Sequence, residues 1–158
     1  MNLLAKKLGQ RLKRAGAMLV SAESCTGGWA AQVVTSVPGS SDWFERGFVT
    51  YSNAAKRELL GVRKSTLEKF GAVSEQTARE MARGALRRSR ATLALAITGV
   101  AGPAGGSKAK PVGTVCFAWA HAGRISGETR RFSGGRQSVR RKSVEHALKG
   151  ALALLERG

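Results

Sequence analysis

The order of apolar segments predicts a three-layer α/β/α sandwich around a mixed, mostly parallel sheet of about five strands. Three observations carry this expectation. Helical and strand-like stretches alternate along the chain, with no internal repeat and no linker, so residues 1–158 are expected to form one domain. Ala91-Thr92-Leu93-Ala94-Leu95-Ala96-Ile97-Thr98 is a continuous apolar run, the pattern of a central strand covered on both faces. Ala17-Met18-Leu19-Val20 is a second buried-strand signal, and it runs into a polar junction, Ser21-Ala22-Glu23-Ser24-Cys25-Thr26-Gly27-Gly28.

The elements follow in order. Apolar residues at 3, 4, 8 and 12 predict a first helix, and Gly16 stops it. After the strand through Val20 and the junction, Gly27 to Val37 reads as a helix ended by Pro38, and Gly39-Ser40-Ser41-Asp42 as a turn. Trp43 to Tyr51 is a second strand. Ser52 or Asn53 caps a short helix, Ala54 to Leu60, which Gly61 closes. Residues 64–70 form another short helix, and Ser74 caps a longer one reaching about Ser89. Gly99 to Pro111 is a Gly/Pro loop, too flexible to be core. Val112 to Ala120 and Gly127 to Ser133 pair as a hairpin, and Gln137 to Leu155 closes the chain as an amphipathic helix.

Composition narrows the function classes. No apolar run approaches the roughly 20 residues of a membrane span, and the basic residues within the first 14 read as an amphipathic helix, not an export signal. Cys25 and Cys116 lack metal-ligand spacing and suggest free thiols in a reducing, cytoplasmic setting. With 27 Lys+Arg against 10 acids the formal charge is +17. Such a charge draws in nucleic acid or a small phosphorylated substrate alike. The cations are spread out and not interleaved with aromatics, so nucleic acid is not expected as the primary partner.

The junction is the candidate active site, because chemistry in open α/β sheets collects at the carboxyl ends of strands. Ser24 needs a base to act as a nucleophile. The two histidines, His121 and His146, sit in a strand and a helix, and no Gly-x-Ser-x-Gly elbow occurs. Lys56 is the other base: the first turn of a helix disfavours a cation, and burial pushes further toward a neutral amine. Tyr51, the only tyrosine, can relay a proton or hold that amine, and Ser40 and Ser41 offer a second hydroxyl. Cys25, at a helix start that lowers a thiol pKa, is a rival nucleophile. The loop from Thr98 through Gly99 and Gly102 lets backbone N–H groups approach an anion, while Arg136 can grip a phosphate from the loop before the last helix. That loop lacks P-loop and dinucleotide spacing.

Taken together, Ala22–Gly28, Trp43–Asn53, Gly71–Glu75, Gly99–Pro103, Lys110–Val115 and Phe132–Arg136 resemble the nicotinamide-nucleotide amidohydrolase family. That family also forms the C-terminal domain of the competence/damage-inducible CinA proteins. No molybdopterin-binding-like domain precedes the match, so the resemblance points to the stand-alone deamidase form. It implies hydrolysis of the carboxamide of nicotinamide mononucleotide, in NAD recycling, by a serine–lysine amidase without metal or cofactor. Carried over, Ser24 is the nucleophile, Lys56 the base, and Tyr51 and Ser41 assist proton transfer. Thr98, Gly99 and Gly102 line the pocket, and Arg136 binds phosphate. By the site chemistry, the helix start at Cys25, Thr26, Gly27 and Gly28 can supply N–H donors to an oxyanion. Ser24, Ser41 and Cys25 all stay open as the attacking group. Ala104 and Gly135 stand where relatives carry acidic residues. The resemblance also implies a homodimer. Two alternatives are a competence- or damage-associated nucleic-acid binder and a protein that binds a mononucleotide without cleaving it.

Overall fold

The computed structural model describes residues 1–157. Their five strands are β1 (Leu19–Glu23), β2 (Phe44–Val49), β3 (Leu93–Gly99), β4 (Thr114–His121) and β5 (Arg124–Arg131), joined in one sheet of order β2-β1-β3-β4-β5. β1 pairs in parallel with β2 and β3, whereas β4 runs antiparallel to both β3 and β5. Four strands therefore share a direction and β4 alone is reversed. No described helix is long and apolar enough to cross a membrane.

Helices cover both faces, as a doubly buried β3 requires. One face carries α1 (Asn2–Ala15), α2 (Trp29–Thr35) and α6 (Arg136–Arg157), packed on Leu19, Leu95, Ile97, Phe117 and Trp119. The other carries α3 (Asn53–Leu60), α4 (Lys64–Phe70) and α5 (Glu75–Arg87). There the sheet offers mainly alanines, among them Ala22, Ala94, Ala96, Ala118 and Ala120. Alternation along β3 sorts its large residues to one face and its small ones to the other. Small residues let α5 settle close to the strands, and Ala78, Met81, Ala82 and Ala85 fill the layer between.

Start and stop signals act where expected. Ser52 caps α3 by accepting the Ala55 N–H at 3.0 Å, and Ser74 caps α5 by accepting that of Thr77 at 3.1 Å. Gly16 and Gly61 end α1 and α3 in the left-handed conformation, at φ 63° and 68°. Three expectations need correction. β1 runs on to Glu23, because Ser21, Ala22 and Glu23 stay in register with Leu95–Ile97, so the junction begins only at Ser24. Arg136 is the first residue of α6, since Gly135 already accepts the Val139 N–H. The Gly/Pro loop opens inside the protein, with Ala101 and Gly102 buried.

The route of the chain places the site. β1 exits to α2 on one face, whereas its neighbour β2 exits to α3 on the other. Diverging exits leave a crevice beyond the carboxyl ends of these strands. Ser24 follows β1, Tyr51 to Lys56 follow β2, and Thr98 is the last residue but one of β3. Close helix packing keeps that crevice in shape: a Cβ on Gly84 would run into the Leu60 carbonyl oxygen where α5 crosses α3. Gly84→Ala is therefore expected to lower unfolding stability by about 1–3 kcal/mol, the usual range for overpacking, as measured by urea titration.

Candidate functional site

Lys56 is the centre of the crevice. Its side chain is 1% exposed, and Nζ donates to Ser24 Oγ at 2.9 Å and to the Thr50 carbonyl at 3.0 Å. Among the described residues no carboxylate forms an ion pair with it. Burial holds its pKa below the ordinary lysine value of 10.5, with a smaller opposing pull from Cys25. The folded amine thus keeps its proton less tightly than an unfolded lysine does. Between the two pKa values the unfolded chain binds more protons, so the stability contribution of Lys56 rises as pH climbs through that interval and is at its lowest below it.

Two side chains that the sequence did not single out fix Ser24. Glu23, fully buried, accepts from Thr26 Oγ1 at 2.7 Å and from the amides of Ala30 and Ala31 at 2.8 and 3.1 Å. Its carboxylate thereby takes up donors at the start of α2. Arg140 donates from Nε to the Cys25 carbonyl at 3.1 Å and from Nη2 to that of Thr26 at 3.3 Å. Its guanidinium also lies 5.4 Å from the centre of the Trp29 ring. The turn carrying Ser24 is gripped from inside by a carboxylate and from outside by a guanidinium. One signal was available for Arg140: it lies one helical turn beyond Arg136, on the same side of α6.

The remaining candidates divide clearly. A pocket of about 330 Å³ brings together Ser24, Cys25, Tyr51, Lys56, Thr98, Gly99, Gly102 and Arg136, with Asn53 and Val73 added to its walls. That volume is at the small end of ligand pockets. Thr98 donates to the Ala72 carbonyl at 2.9 Å, tying the start of α5 to the end of β3. Arg136 donates to the Gly102 carbonyl at 2.9 Å and to the Tyr51 hydroxyl at 3.1 Å.

Four expectations change. Tyr51 does not hold the lysine amine; the Thr50 carbonyl does, and the Tyr51 hydroxyl turns to Arg136. Ser41 lies exposed in a 3-10 turn, Ser40–Asp42, ahead of β2 at the far end of the sheet. Phe44 is level with Leu19, so about 13 Å of strand, at ~3.3 Å per residue, separates it from the Ser24 end. Thr26, Gly27 and Gly28 are not among the pocket walls. The Gly27 amide is already taken by the Ser24 carbonyl at 3.0 Å. The rival thiol is disfavoured too: burial pushes Cys25 up to about 12.

Fold and site together describe an α/β domain with a buried lysine–serine pair at a strand end. The chain matches the CinA C-terminal domain family over residues 1–155 and belongs to it. It is 58% identical over 147 residues to the Escherichia coli K12 protein named nicotinamide-nucleotide amidohydrolase PncC, covering 92% of this chain and 88% of that one. The Pseudomonas putida protein of the same name is 52% identical, covering 96% and 94%. A crystal structure of the competence/damage inducible protein CihA from Agrobacterium tumefaciens superposes with a TM-score of 0.94 at 48% identity, covering 97% and 94%.

The thiol's high pKa gives a direct check. With its pKa pushed up by burial the thiol stays protonated at pH 8, so iodoacetamide should leave it unmodified in the folded chain, as read by peptide mass. Cys25→Ala should also keep turnover within about threefold of the parent chain.

Proposed function

We propose that this chain hydrolyses the carboxamide of nicotinamide mononucleotide, giving nicotinate mononucleotide and ammonia, with Ser24 as nucleophile and Lys56 as general base. The observation that carries the reading is the 2.9 Å contact between a buried Lys56 Nζ and Ser24 Oγ, in a pocket whose other cationic wall residue is Arg136. The amidohydrolase names of relatives at 52–58% identity agree with it.

The chemistry follows from the geometry. A neutral amine with one N–H on the Thr50 carbonyl turns its lone pair to the Ser24 hydroxyl. Lys56 takes that proton as Oγ bonds to the amide carbon, and the carbonyl electron pair moves onto oxygen. The amide of Cys25, adjacent to the nucleophile in sequence, is the donor assigned to that oxyanion. The C–N bond then breaks, and the lysine proton leaves with the nitrogen as ammonia. Water, deprotonated by the regenerated amine, releases the acid from Ser24. Arg136 commits two of the guanidinium's five N–H donors to Gly102 and Tyr51, leaving the others for the substrate phosphate.

Ammonia release from nicotinamide mononucleotide, with Ser24→Ala measured beside the parent chain, tests the reading. Turnover by the parent and a loss of about 10⁴-fold in the variant are expected. Substrate binding without ammonia from the parent would leave a non-catalytic mononucleotide binder instead.

Three quantitative consequences extend this test. Lys56→Met should lower kcat/KM by about 10²–10⁴-fold, the usual share of a general base, yet raise the melting temperature at pH 7 because a disfavoured charge is gone. In the parent chain kcat/KM should rise with pH as Lys56 loses its proton and level off below 10.5, the ordinary lysine value. Arg136→Ala should act on binding, raising KM by about 10- to 100-fold with kcat changed far less.

A further inference from the structure

The end of the sheet away from Ser24 holds a larger cavity, of about 1050 Å³, between the last turns of α6 and the start of β5. Its floor is apolar: Trp119, Ile125, Leu154 and Leu155. Gly150 lets the Trp119 indole lie directly against α6, where Nε1 donates to the Ala147 carbonyl at 2.9 Å. The ring's one polar atom is thereby spent, and what it presents to the cavity is hydrocarbon. The rim carries two cations, Arg124 and Arg157, beside His121.

Among the described residues no carboxylate lines this cavity. Glu156, beside Leu155 in sequence, is drawn to Arg11 on α1 at 3.6 Å. Arg124 and Arg157 enter none of the ion pairs of the described residues, whereas Arg130, further along β5, is paired with Glu128. An apolar floor beneath guanidinium groups that no carboxylate among the described residues pairs asks for a ligand with both characters. A sugar phosphate satisfies the rim and wastes the floor; a neutral hydrocarbon does the reverse.

We propose that this cavity is a second ligand site, distinct from the catalytic pocket, that takes a small amphipathic organic anion. A body of one or two rings or a short alkyl chain lies on Trp119, Leu154 and Leu155, and a carboxylate, sulfonate or phosphate head meets Arg124 and Arg157. The proposal is independent of whether the chain cleaves an amide.

The probe is 8-anilinonaphthalene-1-sulfonate, titrated into the folded chain by fluorescence beside N-phenyl-1-naphthylamine, which has the same rings without the sulfonate. One saturable site is expected, with the sulfonate bound at least about tenfold more tightly than the neutral compound. Arg124→Ala should weaken the sulfonate by about tenfold or more while leaving the neutral probe, the melting temperature and the ammonia-release rate unchanged. Leu154→Glu, which adds a carboxylate to the floor, should weaken both probes. Binding that survives both substitutions, a series of weak sites reflecting only the +17 charge, or displacement by nicotinamide mononucleotide would each overturn the proposal. So would a change of oligomeric state in Leu154→Glu, which would assign the face to a second copy of the chain.

Discussion

One buried amine without a counter-ion organises the pocket end of this protein. Lys56 enters the interior with only a hydroxyl and a carbonyl as partners. An isolated ammonium is expensive in such surroundings, and the amine answers by holding its proton less tightly. The fold must then keep the amine buried, keep water from solvating it, and keep acids at a distance. Each demand is met by backbone: Ser52 starts the helix that aims Lys56 inward, β2 delivers the Thr50 carbonyl, and β1 delivers Ser24. A site of this kind costs stability to maintain, and the alanine-rich face beneath α5 supplies the close packing that offsets it.

Ser24 is positioned by charges that do not touch its hydroxyl. Glu23 inside and Arg140 outside clamp the same short turn, and neither points into the pocket. The carboxylate also uses amides at the start of α2, which alters the expected role of that helix. An unoccupied helix start attracts anions; here much of that attraction is spent on an internal side chain. The free guanidinium donors at the pocket belong to Arg136, on a different element.

Much of this architecture was legible because it rests on local chemistry. Capping serines, terminating glycines and the apolar run through Ile97 each have short-range causes, and the corresponding elements lie within a few residues of expectation. Lys56 was legible for the same reason, as its address in a first helical turn is a property of neighbouring residues. Ser41 was misplaced because its role depends on strand direction: the turn before β2 and the turn after β1 sit at opposite ends of parallel neighbours. Glu23 lay within the candidate junction, but its clamping role was not legible because its partners lie 3, 7 and 8 residues away, across a turn whose path no periodicity encodes. Cys25 looked reactive beside a helix start, but burial outweighs position for a thiol.

The reversal between β3 and β4 has a consequence for how such a site can diversify. Antiparallel neighbours need no crossover helix, so the segment from Val100 to Gly113 returns the chain as a loop, held at Gly102 by Arg136 and at Lys110 by the Phe70 carbonyl. Its opening residues are buried and anchored, while 103–109 are exposed. Closing a few more residues into such a loop costs little, because loop entropy grows only logarithmically with length. The wall of the pocket can therefore lengthen, shorten or change composition without moving Ser24 or Lys56. Evolution is free to retune what enters while the buried lysine–serine contact stays fixed.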